Sequence, residues 1–534
     1  MDNARLNILD TLLLMAKQVK TFELAPQQKE HVERIENILK SRHIAIDTSD
    51  TGSGKTACTL SLAARNGMHL IIVGPASAES VWDKECKRLG FDRVSMKNKG
   101  GRYTFFTYST FGTYTKNQNQ SINIFEMQDG QLAKGKKKIV QIPVGLLESF
   151  KETIANNPIL FVFDEAHSLK NSDSNASIAG RILTNYIVNN GGPSRVLFLS
   201  ATLFDKIAEG LVTILKIFGI IRIYPSLLGG SSSGDWSKSG LQEIANFCST
   251  LVPEKEVSDL IADYCKSVPR DYDSEAYANN LAMLLWSRII SPSISSRMPS
   301  FERKFPVRAF KLFVRITDER RSEVIRQQMA EIEAPQTGLG KGNAAGLSTK
   351  ALQSIELNMI DEVVRLVIGD FRSKPMHKMI IFASFKDPLE RAHALLLKAS
   401  ISEDHIVHIT GDTGTAKGVD KFQNGQARIC LITLGVGKQS INLNDTTGRN
   451  PRISYMFPTT FSASDLKQAS GRSDRINTMS EVVIITVWPG KDYYGQVYES
   501  PMARVALKLI TKNKIMNSAA GKEDEDDNVE EIEE

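Results

Sequence analysis

Thr51-Gly52-Ser53-Gly54-Lys55-Thr56 is the stretch that decides the fold of this chain. It follows the apolar run Ile44-Ala45-Ile46 and opens a segment with Ala57, Leu60 and Ala64 at helical spacing. A glycine-bearing loop between strand and helix turns backbone N–H groups toward an anion, and the helix N-terminus adds its positive dipole end. Thr51, Gly52, Ser53 and Gly54 then form a phosphate cradle, while Lys55 reaches the outer phosphates of a nucleotide. The Thr56 hydroxyl would hold Mg2+, and ATP is the expected ligand. Ser49 stands where the full pattern has another glycine, and a small residue still fits there.

Outward from this loop, short apolar runs alternate with helical patterns across residues 21–225. Leu70-Ile71-Ile72-Val73, Leu160-Phe161-Val162-Phe163 and Val196-Leu197-Phe198-Leu199 each end at small or polar residues. Such continuous apolar runs suit strands covered on both faces of a parallel sheet. A polar, lysine-bearing stretch from Lys116 to Lys138 interrupts them as an inserted loop, and residues 1–20 form an amphipathic helix ahead of the domain.

Residues 226–350 form an intervening segment. It opens on a Gly/Ser-rich boundary, continues with helical patterns from Leu241 to Met329, and ends in a loose connector from Pro335 to Lys350. The connector contains Gly338-Leu339-Gly340-Lys341-Gly342, but no strand precedes it, so it is flexible linker.

A second alternating region occupies 351–500, with strands at Met379-Ile380-Ile381-Phe382, Ile406-Val407-His408-Ile409, Ile429-Cys430-Leu431-Ile432 and Val482-Val483-Ile484-Ile485. Asp387-Pro388 supplies a cap and a first-turn proline, and Leu389, Ala392 and Leu396 mark one helical face. Residues 501–534 are a C-terminal helix followed by a disordered acidic tail. The expected fold class is α/β, two parallel-sheet domains in tandem with a mainly helical segment between them.

Bulk properties narrow the class. At 534 residues, 41% hydrophobic and 24% charged, the chain suits two or three globular domains. Cys58, Cys86, Cys248, Cys265 and Cys430 are scattered, which argues against a zinc site or disulfide framework and for a reducing compartment, cytoplasm or nucleus. Asp2 and Asp10 interrupt the N-terminus and the apolar run Leu12-Leu13-Leu14-Met15-Ala16 is too short to span a bilayer, so no secretory signal and no membrane span is expected. Net charge is +5, yet Lys522 to Glu534 alone carries −8, which leaves +13 on the remainder. A basic body suits a polyanion. The tail is either a solubilising end or a competitor for the basic surface.

Hydrolysis needs an acid to hold magnesium and a base to orient water. Asp164-Glu165-Ala166-His167 follows an apolar strand, at the end where ligands sit in open α/β sheets. Asp164 is assigned to Mg2+ and Glu165 to the attacking water.

With these segments in this order, the chain resembles the superfamily 2 DExH-type helicases and translocases, most closely the Swi/Snf-type branch. Asp164-Glu165-Ala166-His167-Ser168-Leu169-Lys170-Asn171 is similar to the branch's DEAH-x-x-K-N signature. Leu24-Ala25-Pro26-Gln27-Gln28 resembles its adenine-reading segment, with Gln28 at the adenine-binding position. Pro75 through Trp82 with Glu85, and Phe106-Thr107-Tyr108, resemble segments that touch a nucleic-acid backbone. Ser200-Ala201-Thr202 matches the motif that couples hydrolysis to motion. Gly437-Lys438-Gln439-Ser440-Ile441-Asn442-Leu443 resembles G-G-x-G-I-N-L, with Lys438 and Ser440 in place of glycines. Gln468-Ala469-Ser470-Gly471-Arg472-Ser473-Asp474-Arg475 fits Q-x-x-G-R-x-x-R.

The resemblance implies two RecA-like domains with ATP in the cleft between them. Gly437 would line the nucleotide site, Gln468 would join the catalytic set, and Arg472 and Arg475 would be arginine fingers. A polynucleotide, DNA in preference to RNA, would pass near Ser77, Thr107 and Thr433. His167 would relay nucleotide state to Ser200 and Thr202, or is a hydrogen-bonded core histidine. The implied activity is a nucleic-acid-stimulated ATPase. Helicase is preferred on Ser200-Ala201-Thr202; a duplex translocase or remodelling motor and a silent binding scaffold are the alternatives. Protein partners would use the tail or the helical insert, and the compact size suits a virus or plasmid as well as a cell.

Overall fold

The computed structural model describes residues 23–50, 52–94, 101–113, 124–131, 139–170, 174–190, 192–201, 238–267, 281, 284–299, 304–333, 341–410, 415–437, 441–458, 463–475, 477–490, 494–495 and 530–533. Two compact units divide the chain, with the change between Ser300 and Phe301.

The first unit runs through α1 (Pro26–Arg42), β1 (Ile44–Asp47), α2 (Lys55–Arg65), β2 (His69–Gly74), α3 (Glu79–Leu89) and β3 (Tyr103–Thr107). It continues through β4 (Phe125–Gln131), β5 (Ile139–Leu146), α4 (Glu148–Asn156), β6 (Ile159–Asp164), α5 (Asn175–Asn190) and β7 (Arg195–Leu199). Helices α6 (Lys238–Leu251) and α7 (Glu254–Ser267) and the two-residue β8 (Ser295–Ser296) complete it. Six strands form one sheet in the order β3-β2-β6-β7-β1-β8. All five pairs are parallel, with Phe161 opposite Val196 and Ile46 opposite Phe198. Successive residues of β2, β6 and β7 are buried, so both faces of these strands are covered, which is why they are almost wholly apolar. Phe163 and Phe198 stack with ring centroids 5.0 Å apart. Burying each such ring contributes about 1.5–3 kcal/mol.

The second unit contains β9 (Val307–Val314), α8 (Glu319–Glu333), α9 (Lys341–Ser373), β10 (Lys378–Ala383), α10 (Lys386–Lys398) and β11 (Ile406–Ile409). It goes on with α11 (Thr415–Asn424), β12 (Ile429–Thr433), β13 (Arg452–Met456), α12 (Ala463–Ser473), β14 (Val482–Pro489) and β15 (Glu530–Glu533). Its seven-stranded sheet, β11-β12-β10-β13-β14-β9-β15, is parallel at every pair. Each unit is therefore a parallel sheet with helices, the expected class. Leu389, Ala392 and Leu396 are buried on one face of α10, as their spacing predicts.

Four expectations are corrected. The inserted loop contains β4, which pairs antiparallel with β5 and has its register shift between Glu126 and Met127. Only its base is apolar: Phe125 meets Phe111 edge-on at 5.3 Å, while Glu126, Gln128 and Asp129 are exposed, so no run signals the strand. The intervening segment 226–350 does not stand apart, since β8 joins the first sheet and β9 the second. The connector's residues 341–350 begin the 33-residue α9, propagated from the buried residues Ile355, Met359 and Val363 downstream. Residues 530–533 of the acidic tail form β15, pairing with Phe310–Phe313; β9 would otherwise end the sheet with a row of unpaired backbone groups.

The expected helices in 1–20 and 501–529, the boundary at 226–237 and most of the linker glycines lie outside the described residues. Among the described residues no helix is long and apolar enough to cross a membrane.

The start of α10 is capped in a way its own sequence hides. Asp387 lies inside the first turn and takes a side-chain bond from Gln353. The backbone N–H groups of Ser384 and Phe385 instead donate to the two carboxylate oxygens of Glu356, at 2.8 and 3.2 Å. Glu356 is fully buried on α9. Glu356→Ala leaves two partly buried donors without that acceptor, which costs roughly 1–3 kcal/mol. The expected result is a thermal transition lowered by several degrees; an unchanged transition would remove Glu356 from this role.

Candidate active site

Parallel pairing places the carboxyl ends of β1, β2, β3, β6 and β7 along one edge, and the predicted residues follow those ends. Asp50 to Gly54 links β1 to α2, with Gly52 at φ 79° and Gly54 at φ 93°. That left-handed path favours glycine, and a Cβ at Gly54 would also come within 2.3 Å of Gln28 Nε2. Gln28 accepts from Ala25 N at 3.1 Å and donates to Ser53 O at 3.0 Å, so α1 is pinned against the loop. Lys55 Nζ donates to Ser49 O at 2.8 Å and Asp50 O at 3.0 Å. Thr56 follows in the first turn of α2, partly exposed. Thr51 lies outside the described residues.

The serine at the usual glycine position has a partner of its own. Ser49 is fully buried, and its Oγ accepts from Met298 N at 2.9 Å. Beneath it, Asp47 closes β1, with Oδ2 3.0 Å from His31 Nε2 and Oδ1 accepting from Ser49 N at 2.9 Å. His31 Nδ1 lies 3.0 Å from Ser296 Oγ. Burial pushes the Asp47 carboxyl upward, but His31, Lys55 and Ser49 outweigh it and hold the group below the ordinary carboxylate range. Arg297 adds a 2.7 Å ion pair to Asp50. His31, Asp47, Ser296 and Arg297 were not foreseen. Arg297 lies hundreds of positions from the loop it holds, so no local spacing could find it.

Asp164 ends β6, two strands from β1 in the sheet. Trp82 Nε1 donates to its Oδ2 at 2.8 Å, and the Tyr108 hydroxyl donates to its backbone O at 2.8 Å. Burial, then the neighbouring Glu165 charge, raises the Asp164 carboxyl above its ordinary value, against the indole N–H and Lys55. Burial, with Asp164 and Glu165, also raises the Tyr108 phenol and keeps it a donor. Glu165 has φ 54°, a left-handed backbone uncommon for a residue with a side chain. Its Oε2 lies 3.5 Å from His167 Nδ1, and that same nitrogen is 3.3 Å from Ser200 Oγ. Ser200 N in turn donates to Asp47 O at 3.1 Å. Gln28, Lys55, Asp164, Glu165, His167 and Ser200 are thus joined through short contacts at one sheet edge. Thr202 lies outside the described residues.

The three expected nucleic-acid residues differ in exposure. Thr107 Oγ1 sits in a hydroxyl cluster, 2.9 Å from Ser109 Oγ and 3.0 Å from Thr110 Oγ1, with Ser109 and Thr110 exposed. Ser77 turns its Oγ inward, where it has no hydrogen-bond partner among the described residues. Thr433, at the end of β12 in the second unit, is buried.

Within the second unit the two predicted segments meet. Leu443 N donates to Arg472 O at 3.0 Å, and Arg475 Nη2 donates to Ile441 O at 2.8 Å. Gln468 and Arg472 are buried on α12, Arg475 is half-buried just beyond it, and Gly437 ends a short helix after β12.

The residues of the first unit fit a nucleoside triphosphate with Mg2+. Gly54 has the cradle geometry, Lys55 supplies a cation, and Thr56 with Asp164 offers the hard oxygen donors that Mg2+ takes.

Residues 21–205 match the family described as "Type III restriction enzyme, res subunit", and residues 358–477 match "Helicase conserved C-terminal domain". A protein of Acanthamoeba polyphaga mimivirus that carries the name of an ATP-dependent RNA helicase is 25% identical over 474 residues, 86% of this chain and 78% of its own length. Two solved structures of the Sulfolobus solfataricus SWI2/SNF2 ATPase core also resemble the chain. The one with double-stranded DNA is 15% identical, with coverage of 94% and 96% and a TM-score of 0.31. The core alone is 14% identical, with coverage of 90% and 88% and the same TM-score of 0.31.

Proposed function

The chain belongs to the superfamily 2 helicases and translocases, ATP-dependent motors on nucleic acid, and from that premise we propose that it is a DNA-stimulated ATPase of the Swi/Snf-type branch. The observation that carries this reading is that the Lys55-bearing loop after β1 and the Asp164-Glu165 pair at the end of β6 lie at the carboxyl edge of one parallel sheet.

The reaction is ATP plus water to ADP plus phosphate. Backbone N–H groups of Gly52 to Gly54 and the Lys55 ammonium bind the phosphates, and Gln28 takes the adenine side. Thr56 and Asp164 would hold Mg2+, which when bound would neutralise charge on the outer phosphates. Glu165 orients the attacking water and accepts its proton. Arg472 and Arg475 are proposed as the arginine fingers, the role the resemblance gives them. His167 passes nucleotide state to Ser200, supported by its contacts with both Glu165 and Ser200. The exposed hydroxyls around Thr107 take the polynucleotide backbone, a sequence-independent contact. The segments at Ser77 and Thr433 would contribute through main-chain atoms, since those side chains are turned in. Four buried cysteines suit a reducing, intracellular compartment.

DNA is preferred to RNA on the Swi/Snf-type motifs, and strand separation is preferred on Ser200-Ala201-Thr202. The test measures ATP turnover with single-stranded DNA, duplex DNA and RNA in parallel, beside a strand-displacement assay. Either DNA should stimulate more than RNA, with displacement of the paired strand. Stronger stimulation by RNA overturns the polymer; stimulation without displacement makes the chain a translocase; no stimulation by any polymer removes the motor.

A further inference from the structure

The strand order β3-β2-β6 sets three neighbouring strand ends in a row, and side chains from the segments after β3 and β2 converge on the end of β6. Asp164 ends β6. The segment after β2 folds into the turn Ala76–Ala78 and then α3, whose buried Trp82 donates its indole N–H to Asp164 Oδ2 at 2.8 Å. The segment after β3 begins with Tyr108, whose hydroxyl donates to Asp164 O at 2.8 Å. Tyr108 N also donates to Gly74 O at 3.1 Å, which locks the end of β3 to the end of β2. Gly74 itself leaves the space in which these groups close: a Cβ there would lie 3.4 Å from Asp164 Cβ and 3.3 Å from Phe105 Cζ. One acidic residue is therefore gripped twice, at its carboxylate and at its main chain.

The two gripping residues sit on, or directly beside, the segments assigned above to the polynucleotide: Trp82 on α3 and Tyr108 just after β3. Tyr108 is adjacent to Thr107, so consecutive residues face opposite ways, one toward the exposed hydroxyl cluster and one toward Asp164. Trp82 lies one helical turn from the Ala76–Ala78 turn. We propose that Trp82 and Tyr108 are positioning residues that link polynucleotide contact to the metal-holding Asp164, separately from the His167–Ser200 contact on the other side of β6. This rests on the function proposed above. A contact that shifts either loop alters how Asp164 is held, and by reciprocity nucleotide at Asp164 alters polynucleotide affinity.

The test uses the full chain with Trp82→Phe, Tyr108→Phe and both together. The probe is a labelled oligonucleotide of the polymer that most stimulates wild-type turnover. Its Kd is measured by anisotropy without nucleotide, with Mg-ADP and with a non-hydrolysable Mg-ATP analogue, beside a thermal melt. Wild type should show affinities differing between the two nucleotides by roughly 5–150-fold, a typical coupling. Each single variant should shrink that ratio, and the double variant should bring it close to one. A wild-type ratio in variants that melt normally overturns the proposal. Should the double variant unfold, Tyr108→Phe decides, because it removes a single hydroxyl. A wild type whose affinity ignores nucleotide overturns the link but leaves the ATPase standing. A wild type that hydrolyses no ATP overturns both.

Discussion

Lys55→Ala should lower ATP turnover about 10²–10³-fold, the scale of removing one preorganised charge-stabilising donor. Polynucleotide affinity without nucleotide should stay near wild type. The ammonium is held by the carbonyl oxygens of Ser49 and Asp50, at the point where α2 begins. It therefore presents its charge where the helix dipole is also positive, the place a phosphate must occupy. Alanine is the best helix former, so the first turn of α2 survives the change and the fold should be intact. Turnover measured alongside anisotropy binding checks both halves. Unchanged turnover would remove Lys55 from the phosphate site.

Arg475→Ala should cost about a thousandfold in turnover, with a modest loss of ATP affinity. Its guanidinium also donates to Ile441 O, so part of any defect is local to the second unit. Magnitudes separate the two causes. A lost hydrogen bond contributes about 1 kcal/mol, whereas a thousandfold in rate corresponds to about 4 kcal/mol of barrier. Arg475→Lys retains a charge but not the forked geometry and should recover little of the rate. Single-turnover hydrolysis read against nucleotide affinity distinguishes a finger from a structural tether. Near-normal turnover in Arg475→Ala would end the finger assignment.

Much of the candidate site was legible because its parts are short-range. A glycine loop, an acidic pair and a Ser-Ala-Thr run each follow an apolar strand, and a strand followed by its loop is a local pattern. The second-region segments were legible for the same reason, and Leu443 and Arg472 do meet. What stayed hidden had a mixed or weak pattern. β4 is polar along most of its length, β8 has two residues, and α9 begins on a stretch whose glycines argue for a linker. The capping of α10 escaped notice because its acceptor, Glu356, lies on the preceding helix rather than at the cap position.

By itself the sequence determined which chemistry stands at which strand end, and that the two regions would each fold as an α/β sheet. Tertiary structure alone decided which strand ends are neighbours: that β2 lies between β3 and β6, so that Trp82 and Tyr108 reach Asp164, and that His31 and Arg297 close under and beside the phosphate loop. The physical reason is range. Helical spacing and apolar runs follow from each residue's immediate neighbours, whereas parallel strand order is set by crossovers and long-range packing that leave no mark at the positions they bring together.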